Sequence, residues 1–245
     1  MTFSSRTPVV DHASVRSRTP GWRPLVLALA LGLSTSGTLL ATPMAQAQAA
    51  PAASATSVAA GLHELQNRWA NINYQLPESR REDAFDQLYQ RATALVAAHP
   101  QSAELHTWAG IIRASEAGAG GGLSALSQVK EARQQLEKAL AIDPKVLDGS
   151  AYTSLGTLYH KVPGWPIAFG DDDKARELLQ KGLAINPNGI DSNYFWADFL
   201  HDQGDDAQAR QALQKALAAA PRPGRESADA GRRQDIQKLM SQLKS

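Results

Sequence analysis

The sequence predicts an all-α fold: a right-handed α-solenoid of helix hairpins closed by a C-terminal capping helix. Three observations carry that expectation. Apolar residues recur at helical spacing, as in Trp196, Ala197 and Leu200, and again in Ala209, Leu213, Ala216 and Leu217. The segment that ends each helical pair is repeated, as LEKALAIDP at Leu136–Pro144, LQKGLAINP at Leu179–Pro187 and LQKALAAAP at Leu213–Pro221. Strand signals are nearly absent, with no sustained Val/Ile/Thr alternation.

The closing prolines step by 43 residues (144 to 187) and by 34 (187 to 221), and a fainter copy, RATALVAAHP, ends at Pro100. Each proline stops a helix, because it lacks an N–H and its ring clashes with the preceding turn. One repeat contains Tyr152, Leu155, Gly156, Tyr159, Ala175, Leu179 and Pro187. The last contains Asn193, Trp196, Ala197, Leu200, Ala209, Leu213 and Pro221. The first complete one is read as Leu105, Trp108, Ala109, Ile112, Ala132, Leu136 and Pro144. This pattern resembles the tetratricopeptide repeat, a helix–turn–helix unit of 34 residues. The resemblance covers about Leu105–Pro221 and, more loosely, Leu62–Pro100. It implies that the small residue (Gly156, Ala197, Ala109) lets paired helices approach closely.

In chain order, Arg6, Arg16, Arg18 and Arg23 precede an apolar run at Leu25–Leu33, and Ala45-Gln46-Ala47 follows. That is the order of a secretory signal peptide, expected over residues 1–47. The run is too short and too broken for a good membrane span, so membrane contact is expected only through the transient export signal, with retention as an uncleaved anchor as the alternative. Removal of residues 1–47 takes away four arginines and one aspartate and leaves a mildly acidic chain. With no cysteine, the chain has no disulfide, no thiolate metal site and no lipid-anchoring cysteine. The expected location is the periplasm.

Residues 48–57 are Ala/Ser/Pro-rich and read as a disordered linker. Residues 58–100 read as a degenerate hairpin: Leu62, Leu65, Trp69 and Ile72 share one face, Leu76-Pro77 breaks the helix, and Phe85, Leu88, Leu95 and Val96 face inward. Residues 101–221 hold three repeats. The first carries a glycine-rich insertion, Ala117–Gln128, expected as a flexible inter-helix loop or a short extra turn, with a ligand-facing loop as the alternative; no Lys-Ser/Thr follows to make a phosphate loop. The second carries the expanded loop KVPGWPIAFGDDDKAR, Lys161–Arg176. Its Trp165, Ile167 and Phe169 read either as a clasp over neighbouring helices or as the wall of a ligand or partner site. Asp171–Asp173 read as a helix N-cap rather than a calcium loop. Residues 222–245 read as the closing helix, with Arg222, Arg225, Arg232 and Arg233 expected either to pair with carboxylates of the preceding repeat, such as Asp205 or Asp206, or to present an anion or partner contact.

The resemblance implies a concave surface lined by the first helix of each pair. It maps His106, Gly110 and Arg113, then Thr153, Thr157 and His160, then Tyr194, Asp198 and His201 into that groove. Arg113, His160 and His201 would form a ladder, read either as a solvated surface or as a strip for a peptide terminus or an anionic ligand. Spacing between repeats argues against a shared histidine metal site, and no metal or cofactor is expected. There is no G-x-S-x-G, H-E-x-x-H or lysine-bearing phosphate loop, so the chain does not read as an enzyme. A formal charge of +1 argues against nucleic acid as partner. The expected function is protein–protein interaction through the groove, with a protein or peptide as partner. The alternative is handling of a small organic ligand, because the P-G-W-P-I-A-F-G-D-D-D-K-A loop resembles that of the T-component proteins of TRAP-type transporters. That reading asks for a pocket of Trp165, Phe169 and Tyr194.

Overall fold

The computed structural model describes residues 49–244, with side chains from residue 54 onward; residues 1–47, expected as a signal peptide, lie outside the described residues. The described chain is an array of helices. They are α1 (Ala49–Gln75), α2 (Arg81–Ala98), α3 (Ala103–Gly120), α4 (Gly122–Ile142), α5 (Val146–Lys161), α6 (Asp172–Ile185), α7 (Ile190–Asp202), α8 (Asp206–Leu217) and α9 (Glu226–Gln242). A short 3₁₀ turn, Glu78–Arg80, sits between α1 and α2 where Pro77 ends the first helix. Sequential helices pair as hairpins, and α9 closes the array.

Several starts are written locally in the sequence. Ser102 Oγ accepts from the Leu105 amide at 3.3 Å, Asp171 Oδ1 from Lys174 at 2.9 Å, and Asp205 Oδ1 from Gln208 at 3.1 Å. Each satisfies one orphan amide at a helix start, worth about 1 kcal/mol. Asp171 is thus the N-cap of α6, as its position after Gly170 predicts. Gly204 turns α7 into α8 at φ 83°, left-handed backbone that glycine adopts without a Cβ penalty.

Two expectations for local structure are corrected. Ala49–Ser57 is not a disordered linker but the opening of the 27-residue α1. Its alanines have the highest helix propensity of any residue, and Ala/Ser/Pro composition alone did not reveal that. The glycine-rich insertion is not a loop either. Helix α3 runs to Gly120 and α4 begins at Gly122, so the break is Gly121 at φ 66° followed by Gly122 at φ 68°.

The core is a chain of clusters passed from hairpin to hairpin. Leu65, Trp69, Phe85, Leu88, Leu105, Trp108 and Ile112 make the first, joined by Ala228 of α9. Ala132, Leu136, Val146, Leu155, Leu158 and Leu178 make the second. Ala197, Leu200, Ala209, Leu213, Ile236, Leu239 and Leu243 make the last, with Ala175, Leu179 and Phe199 bridging to it. Within a hairpin, backbone meets side chain closely. A Cβ on Gly156 would lie 2.8 Å from Leu179 Cγ and 3.0 Å from the Leu179 amide nitrogen.

This packing separates two glycines that share a helical setting. Alanine in place of helical glycine ordinarily gains about 1 kcal/mol. Gly118→Ala, with nothing within 4 Å of the added methyl, should stabilise the fold by up to about that amount. Gly156→Ala should destabilise it by about 1–3 kcal/mol through overpacking. Urea unfolding of the two variants checks the opposite signs; stabilisation by both would refute the hairpin contact.

Candidate functional site

The first repeat is aligned one residue later than its apolar pattern suggests. Gly110, not Ala109, is the close-approach position, since a Cβ there would lie 2.6 Å from Leu136 Cγ and 3.0 Å from the Ala132 carbonyl. Gly156 meets Leu179 and Ala175 in the same way. A second pair of contacts agrees. His106 Nε2 lies 3.1 Å from the Pro100 carbonyl, and Asn193 Nδ2 donates to the Pro187 carbonyl at 3.0 Å, each six residues back. His106 and Asn193 are therefore equivalent. The stripe of Trp108, Ala109 and Ile112 misled the alignment because all three are buried, whatever their register.

The proposed ladder changes accordingly. His106 is buried, with Nδ1 2.7 Å from Gln135 Oε1, and Gly110 is packed inside the hairpin. Arg113 stands equivalent to Tyr159 and Leu200, not to His160 and His201. It binds Glu116 at 2.8 Å and Glu131 at 2.9 Å and lies 4.5 Å over the Tyr89 ring. Burial raises the Glu116 pKa against the opposing pull of Arg113. Thr153 is buried and Thr157 half-buried, both bonded to carbonyls of α5 one turn back. His201 Nδ1 lies 2.6 Å from Asp206.

His160 and Asp198 do come together. His160 lies 3.1 Å from Asp172 through Nδ1 and 2.8 Å from Asp202 through Nε2. Lys161 Nζ lies 2.9 Å from Asp198 and 2.6 Å from Asp202. Burial opposes the Lys161 charge, but Asp202 and Asp198 hold its pKa above the ordinary value. His160, Asp198 and Asp202 have the donor atoms and proximity to hold a cation. An ammonium already bridges the two carboxylates, and the cluster is explained as an ion network tying α5 to α7.

The larger feature is a chamber of about 800 Å³ on the face formed by the first helix of each pair. Trp69 and Tyr74 of α1, Trp108 and Ile111 of α3, Leu147 and Thr153 of α5 and Phe195 of α7 line it. Helix α9 closes its remaining side by docking on α1. Tyr74 donates to Asp235 Oδ2 at 3.1 Å, and Gly231 lies under the Tyr74 ring, where any Cβ would clash. The chamber was not foreseen, because contact between α1 and α9 joins residues 161 positions apart. The only signal for it was the arginine cluster near the last turn.

Those arginines do not pair with Asp205 or Asp206. Arg222 binds Asp191 at 2.7 Å and Asp229 at 2.6 Å, while Arg232 binds Asp191 at 2.8 Å and Asp235 at 3.0 Å. Arg233 donates to the carbonyls of Leu217 at 2.6 Å and Ala219 at 3.1 Å, satisfying groups at and beyond the end of α8. Burial would raise the Asp191 pKa; the charges of Arg232 and Arg222 outweigh it and bring it down to about 2. Arg232 also lies 4.4 Å from the centre of the Tyr194 ring, which places Tyr194 against α9.

In the expanded loop, Phe169 tucks edge-on against Tyr159 at 5.3 Å and under the Arg133 guanidinium at 4.5 Å. Trp165 and Ile167 point outward, 89% and 64% exposed. Phe169 is thus part of a clasp, and the other two are not. Among the described residues, none of Trp165, Phe169 and Tyr194 lines the chamber.

Paired helices stacked around a common concave face define a helical-repeat scaffold. The tetratricopeptide-repeat model matches residues 167–242, so that part of the chain carries tetratricopeptide-repeat sequence. A crystal structure of a thermophilic protein of this kind from Thermus thermophilus has a TM-score of 0.51 at 15% identity, covering 77% of this chain and 99% of that one. That likeness shows the fold. A MamA structure (TM-score 0.39, 17% identity, 72% of this chain and 94% of that one) and Pseudomonas aeruginosa pilF (0.35, 15%, 79% and 89%) are more distant. No curated protein sequence matches the chain. Proteins of this family are generally non-enzymatic scaffolds that bind protein partners.

Asp191 carries a prediction with a defined sign. Its folded pKa lies below the ordinary carboxylate value of about 4, so its stabilisation is full above that pH and is lost as pH falls toward 2. Asp191→Asn should destabilise the protein at pH 7 by roughly 1–3 kcal/mol, less than breaking a fully buried pair, because the Asp191 side chain is 33% exposed. The gap between wild type and variant should close between about pH 4 and pH 2. Unfolding curves across that window test it, and a gap independent of pH would remove Asp191 from the clamp.

Proposed function

We propose that the protein is an exported, periplasmic, non-catalytic scaffold that holds a partner protein through the Val162–Asp171 loop. The observation that carries this reading is an exposed apolar pair on a loop whose backbone is tied down. The Gly170 amide donates to the Pro163 carbonyl at 2.9 Å, and the Asp171 amide to Tyr159 at 3.0 Å. The Ile167 and Ala168 amides both donate to the Gly164 carbonyl, at 3.1 and 3.2 Å. A Cβ at Gly170 would run into the Val162 carbonyl, so the return strand of the loop needs glycine there. Val162 and Phe169 anchor the loop from beneath. Trp165 and Ile167 are left facing water on a preorganised base.

Tryptophan concentrates binding energy at protein interfaces, and a loop already ordered loses little entropy on docking. The export reading rests on the order of charged, apolar and A-Q-A segments over residues 1–47. The transport-accessory alternative rests on the loop motif, and the separate placements of Trp165 and Tyr194 give it no common pocket.

Because Trp165 and Ile167 are exposed, changing both to serine should alter stability by less than about 0.5 kcal/mol. The same change should reduce crosslinked recovery of a stoichiometric partner from an envelope extract by at least about tenfold, as loss of a tryptophan hot spot does. Equal recovery by both proteins would sink the loop reading. Separately, N-terminal sequencing of the periplasmic fraction should start at Gln48; retention of residues 1–47 on a membrane-bound chain would refute cleavage at that site.

A further inference from the structure

The chamber carries an unbalanced charge. Lys215, Arg222, Arg225 and Arg232 line it against two carboxylates, Asp148 and Asp191. Arg222 and Arg232 are committed to Asp191, Asp229 and Asp235. Arg225 is not. Among the described residues no carboxylate or carbonyl accepts from its side chain, and its Nε is buried without a hydrogen-bond partner. Its guanidinium lies 5.0 Å over the Trp108 ring. Burial and the neighbouring charge of Arg222 both work against its ionised form. The buried Nε–H costs the desolvation of one donor, while the other guanidinium nitrogens, on a half-buried side chain, have no acceptor from the protein.

The surroundings of Arg225 define what would satisfy it. Trp69, Tyr74, Trp108, Ile111, Leu147 and Phe195 give the chamber a largely aromatic and apolar wall. Trp69 stands edge-on to Trp108 at 5.9 Å, which fixes the ring beneath the guanidinium. Leu147 and Asp148, which also line the chamber, hold left-handed backbone at φ 48° and 53°. Such strain in non-glycine residues collects at binding sites. A partly open chamber with an apolar wall and an unpaired guanidinium suits a compact amphiphilic anion. The guanidinium fork matches a carboxylate in two parallel bonds. An extended polypeptide is disfavoured, because α9 is docked on α1 across the face it would have to follow.

We propose that the chamber binds a small organic acid, its carboxylate held by Arg225 and its apolar body packed among Trp69, Trp108 and Phe195. This site is separate from the Trp165–Ile167 loop, so it stands or falls independently of partner binding there.

The test is calorimetric titration of the protein with indole-3-acetate, phenylacetate and decanoate, each against its neutral amide. At least one acid should bind at millimolar or tighter affinity, at least about tenfold tighter than its amide, as a charge-assisted guanidinium–carboxylate pair requires. Arg225→Gln should abolish that preference, and Arg225→Lys should restore part of it. Equal affinity for acid and amide in the wild type would overturn the proposal without recourse to any variant. So would failure of all three acids to bind, or a preference that survives Arg225→Gln.

Discussion

Asp191 holds the closed form of this solenoid together. It is the carboxylate shared by Arg222, in the turn after α8, and Arg232, on α9. A helix that merely capped the last hairpin would need only an apolar face on α8 and a polar face to water. Helix α9 does more, since Ala228 joins the first core cluster while Ile236, Leu239 and Leu243 join the last. The clamp to α7 sets the position of α9 along both. The face formed by the first helix of each pair is therefore walled by both ends of the helical array, with α1 on one side and α9 on the other.

Much of the fold was legible because it is local. Proline-terminated LxKALAxxP segments, the N-cap at Asp171 and a small residue at Gly156 are properties of a few adjacent positions. The site was legible only in part, for two physical reasons. Burial hides register: Trp108, Ala109 and Ile112 are all inside, so their pattern fits two alignments, and only the fit of Gly110 against Leu136 and Ala132 distinguishes them. Charge pairing is also nonlocal. Nothing near Arg222 or Arg232 in sequence names Asp191 as their partner, and the nearer Asp205 and Asp206 are already used, one in capping α8 and the other by His201 and the Lys244 amide.

The polar groups fall into two kinds, according to whether the protein itself supplies their partners. His160, Lys161, Asp172, Asp198 and Asp202 satisfy one another, and so do Arg113, Glu116 and Glu131. A network in which each charge has a partner fixes the relation of neighbouring helices and leaves little to offer a ligand. Trp165 and Arg225 are the opposite case. Each is held firmly by its surroundings, and each has a surface or a donor that the protein does not use.

The position of Arg225 follows from the register of the helix it precedes. It stands immediately before Glu226, the first residue of α9. A slip of α9 by one residue would rotate its side chains by about 100°. Gly231 would then leave the Tyr74 ring, where only a hydrogen is tolerated, and Arg232 would leave Asp191. Close contact on one side and charge on the other thus specify a single docking, each resisting a different error. The guanidinium over Trp108 is a consequence of that docking rather than an independent feature. The interactions that dock α9 beside the chamber are the same ones that set the uncommitted guanidinium of Arg225 over Trp108.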